Sequence, residues 1–184
     1  MKRTVLTLLL TFSCLLSSAQ EWNLGGGLSF ALERFSETRC EIHDDGFFHT
    51  LPVLNVEAGY NIPDGDIGVF LGAYCNYAQK NLKGAPEILK EKELIVNIVP
   101  MVRYYFRTER ERSVRYFTTL GAGARLRNYS ETLEGDTISR LHKSFSFVFS
   151  PVGVYWCDEK YYYTLECGLG SSWTGFKLCL GFKL

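Results

Sequence analysis

The sequence alternates between apolar and polar residues with a period of two, and this pattern constrains the fold more than any other feature. In the first such segment, Trp22, Leu24 and Leu28 share one face, while Asn23 and Ser29 share the other. Successive side chains of a strand point to opposite faces, so the pattern predicts strands with two unlike faces rather than amphipathic helices. Eight segments show it: 22–32, 53–60, 67–77, 93–106, 114–127, 144–150, 161–170 and 176–184.

Most of these segments are as long as the roughly nine to eleven residues that a tilted strand needs to cross a membrane. Strands of soluble proteins typically have only about five or six residues. After residue 19, no stretch is long and apolar enough for a membrane-spanning helix. The segments therefore predict an all-β fold, an eight-stranded antiparallel up-and-down transmembrane β-barrel with both chain ends on one side.

The links between the segments alternate in length. Long polar links follow the first, third and fifth segments, at 33–49, 79–92 and 129–139. Short links follow the second, fourth and sixth, at 61–66, 107–112 and 156–160, and the seventh, 171–175, is also short. Long extracellular loops and tight periplasmic turns are typical of outer-membrane barrels. Pro100 lies in the middle of the fourth segment and lacks a backbone N–H, so we expect a local bulge there.

The composition of the polar faces indicates which side of the wall points outward. These faces consist mainly of Gly, Ser, Thr and Asn, with a few charges of both signs: Glu57, Glu93, Arg103, Arg115, Arg125, Glu166 and Lys177. The lumen of an eight-stranded barrel is just wide enough to be filled by side chains, and charges buried there must be paired. We expect the apolar faces to contact lipid and the polar faces to fill a lumen without a pore.

Aromatic residues are concentrated where the strands would meet the periplasmic surface of the membrane. Rings with a polar edge favour the boundary between hydrocarbon and water. We therefore expect an interfacial belt made of Trp22, Tyr60, 104–106, Tyr116, 155–156, 161–163 and Phe182.

The N-terminus is typical of a secretory signal. Lys2 and Arg3 precede an apolar run from Val5 to Leu16, and small residues end at Ala19. We predict a signal peptide at 1–19 and one barrel domain at 20–184. Cleavage would remove two of the 20 basic residues, leaving 18 against 20 acidic residues and a net charge of −2. No basic stripe remains to suggest a nucleic-acid partner.

The cysteines and one polar link are the candidates for metal or disulfide sites. Five cysteines follow residue 19, and neither a CxxC nor a CxxH spacing occurs, so neither a disulfide framework nor a zinc site is indicated. Cys75 and Cys167 are expected to act as small apolar side chains, and the redox states of Cys40 and Cys157 are left open. The segment 35–49 carries potential ligands, namely Cys40, His43, Asp44, Asp45 and His49. A solvated loop is the favoured interpretation, and we predict no metal and no cofactor.

The signal peptide, the eight alternating segments and a final strand at the chain end resemble the small outer-membrane β-barrel family, the OmpA-transmembrane-domain and OmpX-like proteins. The resemblance covers residues 20–184 and implies a place in the outer membrane of a Gram-negative cell, among lipid and lipopolysaccharide. It also implies insertion by the barrel-assembly machinery, which reads the last strand. Lys177, Phe182 and Leu184 fit that signal, whereas Cys179 stands where the family has Gly.

No catalytic constellation stands out, so the favoured function is a non-enzymatic barrel with a structural or interaction role through its extracellular loops. One alternative is a lipid A-modifying enzyme, because His142 and Ser144 match the His-x-Ser of a similar deacylase family, although Phe145 stands where that family has Asn. Neither Glu159 nor Glu166 is well placed to orient the histidine. Another alternative is a soluble periplasmic lipocalin-like binder of a small hydrophobic ligand.

Overall fold

The computed structural model describes residues 22–34, 48–62, 65–82, 89–106, 114–133 and 136–184. These residues form eight strands: β1 (Trp22–Arg34), β2 (Phe48–Asn61), β3 (Ile67–Leu82), β4 (Leu89–Tyr105), β5 (Val114–Leu133), β6 (Asp136–Cys157), β7 (Tyr161–Gly170) and β8 (Gly175–Lys183). Each strand pairs antiparallel with the next, and β8 pairs with β1 to close the barrel. The predicted fold class is confirmed. No helix within these ranges has the length and apolarity needed to span a membrane.

The two faces of the wall are as unlike as the sequence predicts. Apolar side chains point outward, and Leu54, Leu120 and Phe145 are 64%, 66% and 67% exposed. Polar and charged side chains point inward, and Arg103 and Lys177 are each 0% exposed. The period of two in the sequence therefore becomes an apolar exterior and a polar interior.

The wall of the barrel has unequal height. β3 to β6 contain 16, 17, 20 and 22 residues, whereas β7 and β8 contain 10 and 9. Pairing between β2 and β3 ends at Leu54 and Cys75, and pairing between β6 and β7 ends at Val148 and Gly170. Beyond these points the ends of the four long strands continue as a projecting sheet, formed by 76–82, 89–95, 127–133 and 136–142, while β1 and β2 continue as a separate hairpin up to the pair of Arg34 and Phe48. The remainder of the wall is called the barrel body.

The predicted link boundaries at 79–92 and 129–139 are wrong. Gln79 pairs with Lys92, and Tyr129 pairs with Arg140, so most of both segments is strand. A strand that has left the membrane no longer needs an apolar face, so it loses the alternation while its backbone pairing continues. The lengths of the links also fail to alternate, since residues 134 and 135 alone separate β5 from β6.

The bulge expected at Pro100 is also absent. Pro100 pairs with Leu71 of β3, and the register between β4 and β5 is the same on both sides of it. The shifts in register occur instead on both sides of β6, between Phe117 and Thr119 of β5 and between Phe149 and Val152. The bulged residues are around Pro151, because there both neighbouring ladders are interrupted at the same point.

Candidate functional site

The middle of the lumen holds four charged side chains from four strands. Glu57 comes from β2, Arg103 from β4, Glu166 from β7 and Lys177 from β8, and each is at most 1% exposed. Arg103 Nη2 lies 2.8 and 2.9 Å from the two carboxylate oxygens of Glu57, and 2.8 Å from Glu166 Oε1. Lys177 Nζ lies 3.0 Å from Glu57 Oε2 and 2.6 Å from Glu166 Oε1. These four residues form the charged cluster, in which each carboxylate contacts both cations.

The charged cluster balances its own charge, with two carboxylates against two cations. Burying one ion costs several kcal/mol of hydration unless partners and hydrogen bonds replace the water. Thr119 of β5 contributes a further hydrogen bond, because its Oγ1 donates to Glu166 Oε2 at 3.1 Å. The cluster thus joins five strands across the lumen, including pairs that are not neighbours in the sheet. It closes the middle of the barrel and ties opposite walls together.

Aromatic rings surround the cations of the charged cluster. The Arg103 guanidinium carbon lies 4.2 Å from the centre of the Phe70 ring and 4.9 Å from that of Phe117. Lys177 Nζ lies 5.8 Å from the Tyr74 ring centre and 5.6 Å from that of Trp173. The negative faces of aromatic rings attract cations at these distances. The rings therefore occupy the space around the ions and stabilise their charge.

A second group of rings fills the lumen towards the ends of the chain. Tyr105, Phe117, Tyr155 and Tyr162 are at most 3% exposed and pack together, with the rings of Tyr155 and Tyr162 stacked 5.4 Å apart. The Tyr105 hydroxyl donates to Asn61 Oδ1 at 3.0 Å.

The interfacial belt expected from the sequence is therefore wrong for the rings that point inward. Tyr105, Tyr155 and Tyr162 point into the lumen, whereas Tyr104, Tyr116 and Tyr161 are 44%, 49% and 53% exposed on the outside. Because neighbouring residues of a strand face opposite sides, a run of three aromatic residues cannot all lie in the belt.

The other end of the lumen is closed by the turn between β7 and β8. Trp173, in this turn, is 0% exposed and packs with the buried side chains Val53, Phe70, Tyr74, Val99, Met101 and Val148. Ser146 Oγ lies 3.0 and 2.8 Å from the hydroxyl oxygens of Ser171 and Ser172, and it donates to Asn97 Oδ1 at 3.1 Å. Sequence reasoning missed this plug, because a four-residue turn has no alternation. The one available signal is a large apolar ring inside a short polar link.

The residues considered for catalysis do not assemble into a site. His142 and Ser144 are both exposed at the outer rim of β6, and no side-chain hydrogen bond joins them within the described residues. Glu166 is held in the charged cluster, and Glu159 lies in the turn after β6, at the other end of that strand. A hydroxyl nucleophile needs a base within hydrogen-bond distance, and the base needs an orienting group. The described residues supply neither.

The metal and disulfide candidates lie largely outside the described part of the chain. Cys40, His43, Asp44 and Asp45 fall there, and so does the side chain of His49. Within the described ranges, no group of three His, Cys, Asp or Glu side chains could hold a metal ion. The described cysteines are free thiols, at Cys75, Cys157, Cys167 and Cys179. Cys167 is exposed among outward apolar residues, whereas Cys75 is only half-buried, and Cys179 faces the lumen.

No known protein family matches the sequence, and no curated protein is significantly similar to it. The fold, in contrast, matches solved structures. Ail, the attachment invasion locus protein of Yersinia pestis, in complex with the heparin analogue sucrose octasulfate, aligns at 13% identity with a TM-score of 0.54, over 90% of this chain and 99% of that one. Another structure of Ail aligns with a TM-score of 0.51, also at 13% identity, over 90% and 97% of the two chains.

The Neisserial surface protein A aligns at 16% identity over 90% of this chain and 97% of that one, with a TM-score of 0.47. Ail is the more informative of these proteins, because both of its structures align with a TM-score above 0.5. At this level of identity the likeness is one of fold. It agrees with the resemblance seen in the sequence: the chain has the fold of the small eight-stranded outer-membrane β-barrels.

Proposed function

We propose that this chain is a non-enzymatic outer-membrane β-barrel that acts through its extracellular side, in a structural or an interaction role. The filled lumen is the observation that carries this proposal. The charged cluster occupies the middle, Tyr105 and Tyr162 lie on one side of it, and Trp173 lies on the other. A channel or a carrier of small ligands needs open interior space. The outer surface and the projecting sheet are therefore the parts available to a partner.

The apolar exterior argues against a soluble lipocalin-like binder. Such a barrel would turn Leu54, Leu120 and Phe145 inward, where they would line a ligand cavity. Here they are more than half exposed. A pocket of about 230 Å³ does open at the mouth near the chain ends, but polar groups such as Asn61 and Arg115 line it. That lining does not suit a hydrophobic ligand.

We infer an outer-membrane location, with 1–19 as the signal peptide and 20–184 as the barrel domain. Residues 1–21 lie outside the described part of the chain. Export places the chain ends in the periplasm, so the projecting sheet faces the cell exterior, above the lipopolysaccharide leaflet. Phe182 of the last strand and Leu184, which follows that strand, are 44% and 69% exposed, while Lys177 points inward. This arrangement supports recognition of β8 by the barrel-assembly machinery.

Two measurements on detergent-extracted protein test the proposal. Migration on a denaturing gel should change when the sample is boiled, because a closed barrel resists unfolding until heated. Planar bilayers containing the refolded protein should show no large, stable conductance, because side chains fill the lumen. A soluble, folded protein in detergent-free buffer would contradict the membrane location, and a large stable pore would contradict the filled lumen.

Lipid A chemistry gives a separate test of the non-enzymatic role. Mass spectrometry of lipid A from cells with and without the gene should show identical acyl patterns. In the described part of the chain no hydrogen bond joins His142 to Ser144, so a Ser144→Ala variant should behave as the unmodified protein does. Loss of an acyl chain that depends on Ser144 would overturn the proposal.

A further inference from the structure

The end of the lumen near the chain ends holds a polar cavity that is separate from the charged cluster. Its volume is about 230 Å³, and it is called the mouth pocket. Inward-facing side chains of four strands line it, namely Asn23 of β1, Asn61 of β2, Arg115 of β5 and Lys183 of β8. Glu159, in the turn between β6 and β7, also lines it. The mouth pocket therefore gathers polar groups from well-separated parts of the wall.

The mouth pocket is closed at its inner end. Tyr155 lines it, and the Tyr155 ring packs with Tyr105, Phe117 and Tyr162, which fill the lumen beyond it. A pocket closed in this way can hold a ligand but cannot conduct it along the lumen. Because one water molecule occupies about 30 Å³ in the liquid, the pocket has the volume of about seven or eight waters. That space suits a small molecule, since drug-sized ligands usually occupy about 300 Å³ or more.

Two cations meet at the mouth pocket. Arg115 and Lys183 come from β5 and β8, which lie three strands apart in the closed sheet, and both side chains are half-buried. Among the described residues, neither cation forms an ion pair with a carboxylate. Glu159 is exposed, so water screens its charge. Two cations and one carboxylate give this lining a net charge of +1, and a cleft with an excess of one sign attracts ligands of the other.

The neutral groups beside the cations suit an oxyanion. Asn61 is 6% exposed, and its Oδ1 accepts the hydrogen bond from the Tyr105 hydroxyl at 3.0 Å. This leaves the N–H groups of its side-chain amide to donate elsewhere. The Arg115 guanidinium carbon lies 6.0 Å from the centre of the Tyr105 ring, so the same tyrosine contacts both residues. A guanidinium pairs with a carboxylate or a phosphate through two parallel N–H groups.

We propose that the mouth pocket binds a small soluble oxyanion, a carboxylate or a phosphate, between Arg115 and Lys183. The Asn61 amide donates a further hydrogen bond to it. The lining residues face the lumen, so the wall of the barrel separates the pocket from lipid headgroups and the ligand comes from solution. Binding to the purified protein does not depend on the proposed function. The periplasmic source of the ligand does rest on it, because it needs the chain ends to face the periplasm.

The test uses isotope-labelled full-length barrel in micelles of a non-ionic detergent, in a buffer without phosphate or carboxylate. Succinate and inorganic phosphate are each added at constant ionic strength, and the side-chain amide resonances of Asn23 and Asn61 are followed. At least one of these anions should shift both resonances saturably, and the tighter one identifies the preferred group. Putrescine, a small dication, should leave them unchanged. Failure of both anions to bind saturably, or equal binding of putrescine, would overturn the proposal.

Variants that remove one charge separate the mouth pocket from general attraction to a basic surface. Arg115→Gln and Lys183→Gln should each weaken anion binding by about tenfold, because each removes a charge-assisted hydrogen bond. Lys160→Gln is the matched control, since Lys160 is exposed beside Glu159 but does not line the pocket. This variant should bind as the unmodified protein does, and Glu159→Gln should bind at least as tightly. Equal affinities of Arg115→Gln, Lys183→Gln and Lys160→Gln would show that the anion does not occupy the pocket.

The same spectra report whether each variant has folded, so its affinity is read on a closed barrel. A folded barrel that binds neither anion would contradict the mouth pocket alone. Unmodified protein whose migration on a denaturing gel does not change on boiling would contradict the membrane barrel instead.

Discussion

The projecting sheet continues four of the eight strands of the barrel body, but the side chains of the two regions follow different rules. In the body, Leu120 is 66% exposed and its neighbour Thr119 is 0% exposed. In the projecting sheet, Leu141 and His142 are both exposed, although they point to opposite faces. The backbone ladder is the same in both regions, with Leu120 paired to Phe149 in the body and Arg127 paired to His142 in the sheet.

The difference between the two regions separates the cause of strand formation from the cause of the alternation between apolar and polar residues. Backbone hydrogen bonds make the strands, and they continue across the boundary between the regions. The environment makes the alternation, because lipid on one side and a narrow lumen on the other restrict each position of the body. Substitutions in the body should therefore cost far more than the same substitutions in the projecting sheet.

The largest effect is expected from removing one cation of the charged cluster. Arg103→Met leaves Glu57 and Glu166 buried with Lys177 as their one cation in the cluster, which should lower the free energy of unfolding by about 3–5 kcal/mol. Denaturant titration in lipid vesicles, followed by tryptophan fluorescence, measures it. Arg140→Met in the projecting sheet is the control, and its change should stay within about 0.5 kcal/mol. Equal effects of the two would remove the distinction between the regions.

A charge placed on the lipid face should have the next largest effect. Leu120→Arg puts a cation near the middle of the predicted membrane span, where the cost is about 2–4 kcal/mol. Leu141→Arg, on the same outer face but in the projecting sheet, should change the free energy of unfolding by less than about 0.5 kcal/mol. The same titration compares them, and tolerance of Leu120→Arg would place that position outside the hydrocarbon.

A single methyl group should distinguish the two faces of the body. A Cβ on Gly27 would lie 1.9 Å from the Leu178 carbonyl oxygen and 2.7 Å from Cys179 Cα, both of which are backbone atoms. A Cβ on Gly26 would meet its nearest atom at 3.5 Å. Gly27→Ala should therefore cost about 1–3 kcal/mol, since the backbone must shift, whereas Gly26→Ala should be nearly neutral. Similar unfolding midpoints for the two variants would contradict the close approach of β1 and β8.

The smallest effect is expected at the ion pair between Glu93 and Arg127 at the outer rim. Arg127 is 29% exposed and Glu93 is 5% exposed, so water and salt screen the pair more than they screen the charged cluster. Arg127→Gln should lower the free energy of unfolding by about 0.2–1 kcal/mol. The difference should shrink as salt is added. A loss as large as that of Arg103→Met would show that the rim is as dry as the lumen.

The sequence predicts the barrel body well and the projecting sheet poorly, for the same physical reason. Alternation identifies Glu57, Arg103, Glu166 and Lys177 as inward residues, because two environments impose it. It cannot say which of these residues meet, since contacts across a lumen depend on the stagger of strands far apart in sequence. Outside the membrane nothing imposes alternation, so the sequence of a polar strand resembles the sequence of a loop.

The structural role of a single residue is harder to predict from the sequence than the two faces of a strand are. Pro100 and Pro151 look alike in the sequence, yet the shift in register occurs at Pro151, while the register on both sides of Pro100 is the same. The position of a bulge depends on both neighbouring strands, which no local pattern records. Trp173 likewise gives no periodic signal, because its burial depends on a turn folding over the mouth of the lumen.

Nuclear Overhauser effects from lipid acyl chains, measured on the protein in nanodiscs, test the orientation of the two faces most directly. We predict that acyl methylene protons show such effects with the outward residues Leu54, Val69 and Leu120, and none with the inward residues Thr119 and Thr164. Effects from acyl chains to Thr119 or Thr164, or from bulk water along the outward set, would contradict an apolar exterior around a polar, filled lumen.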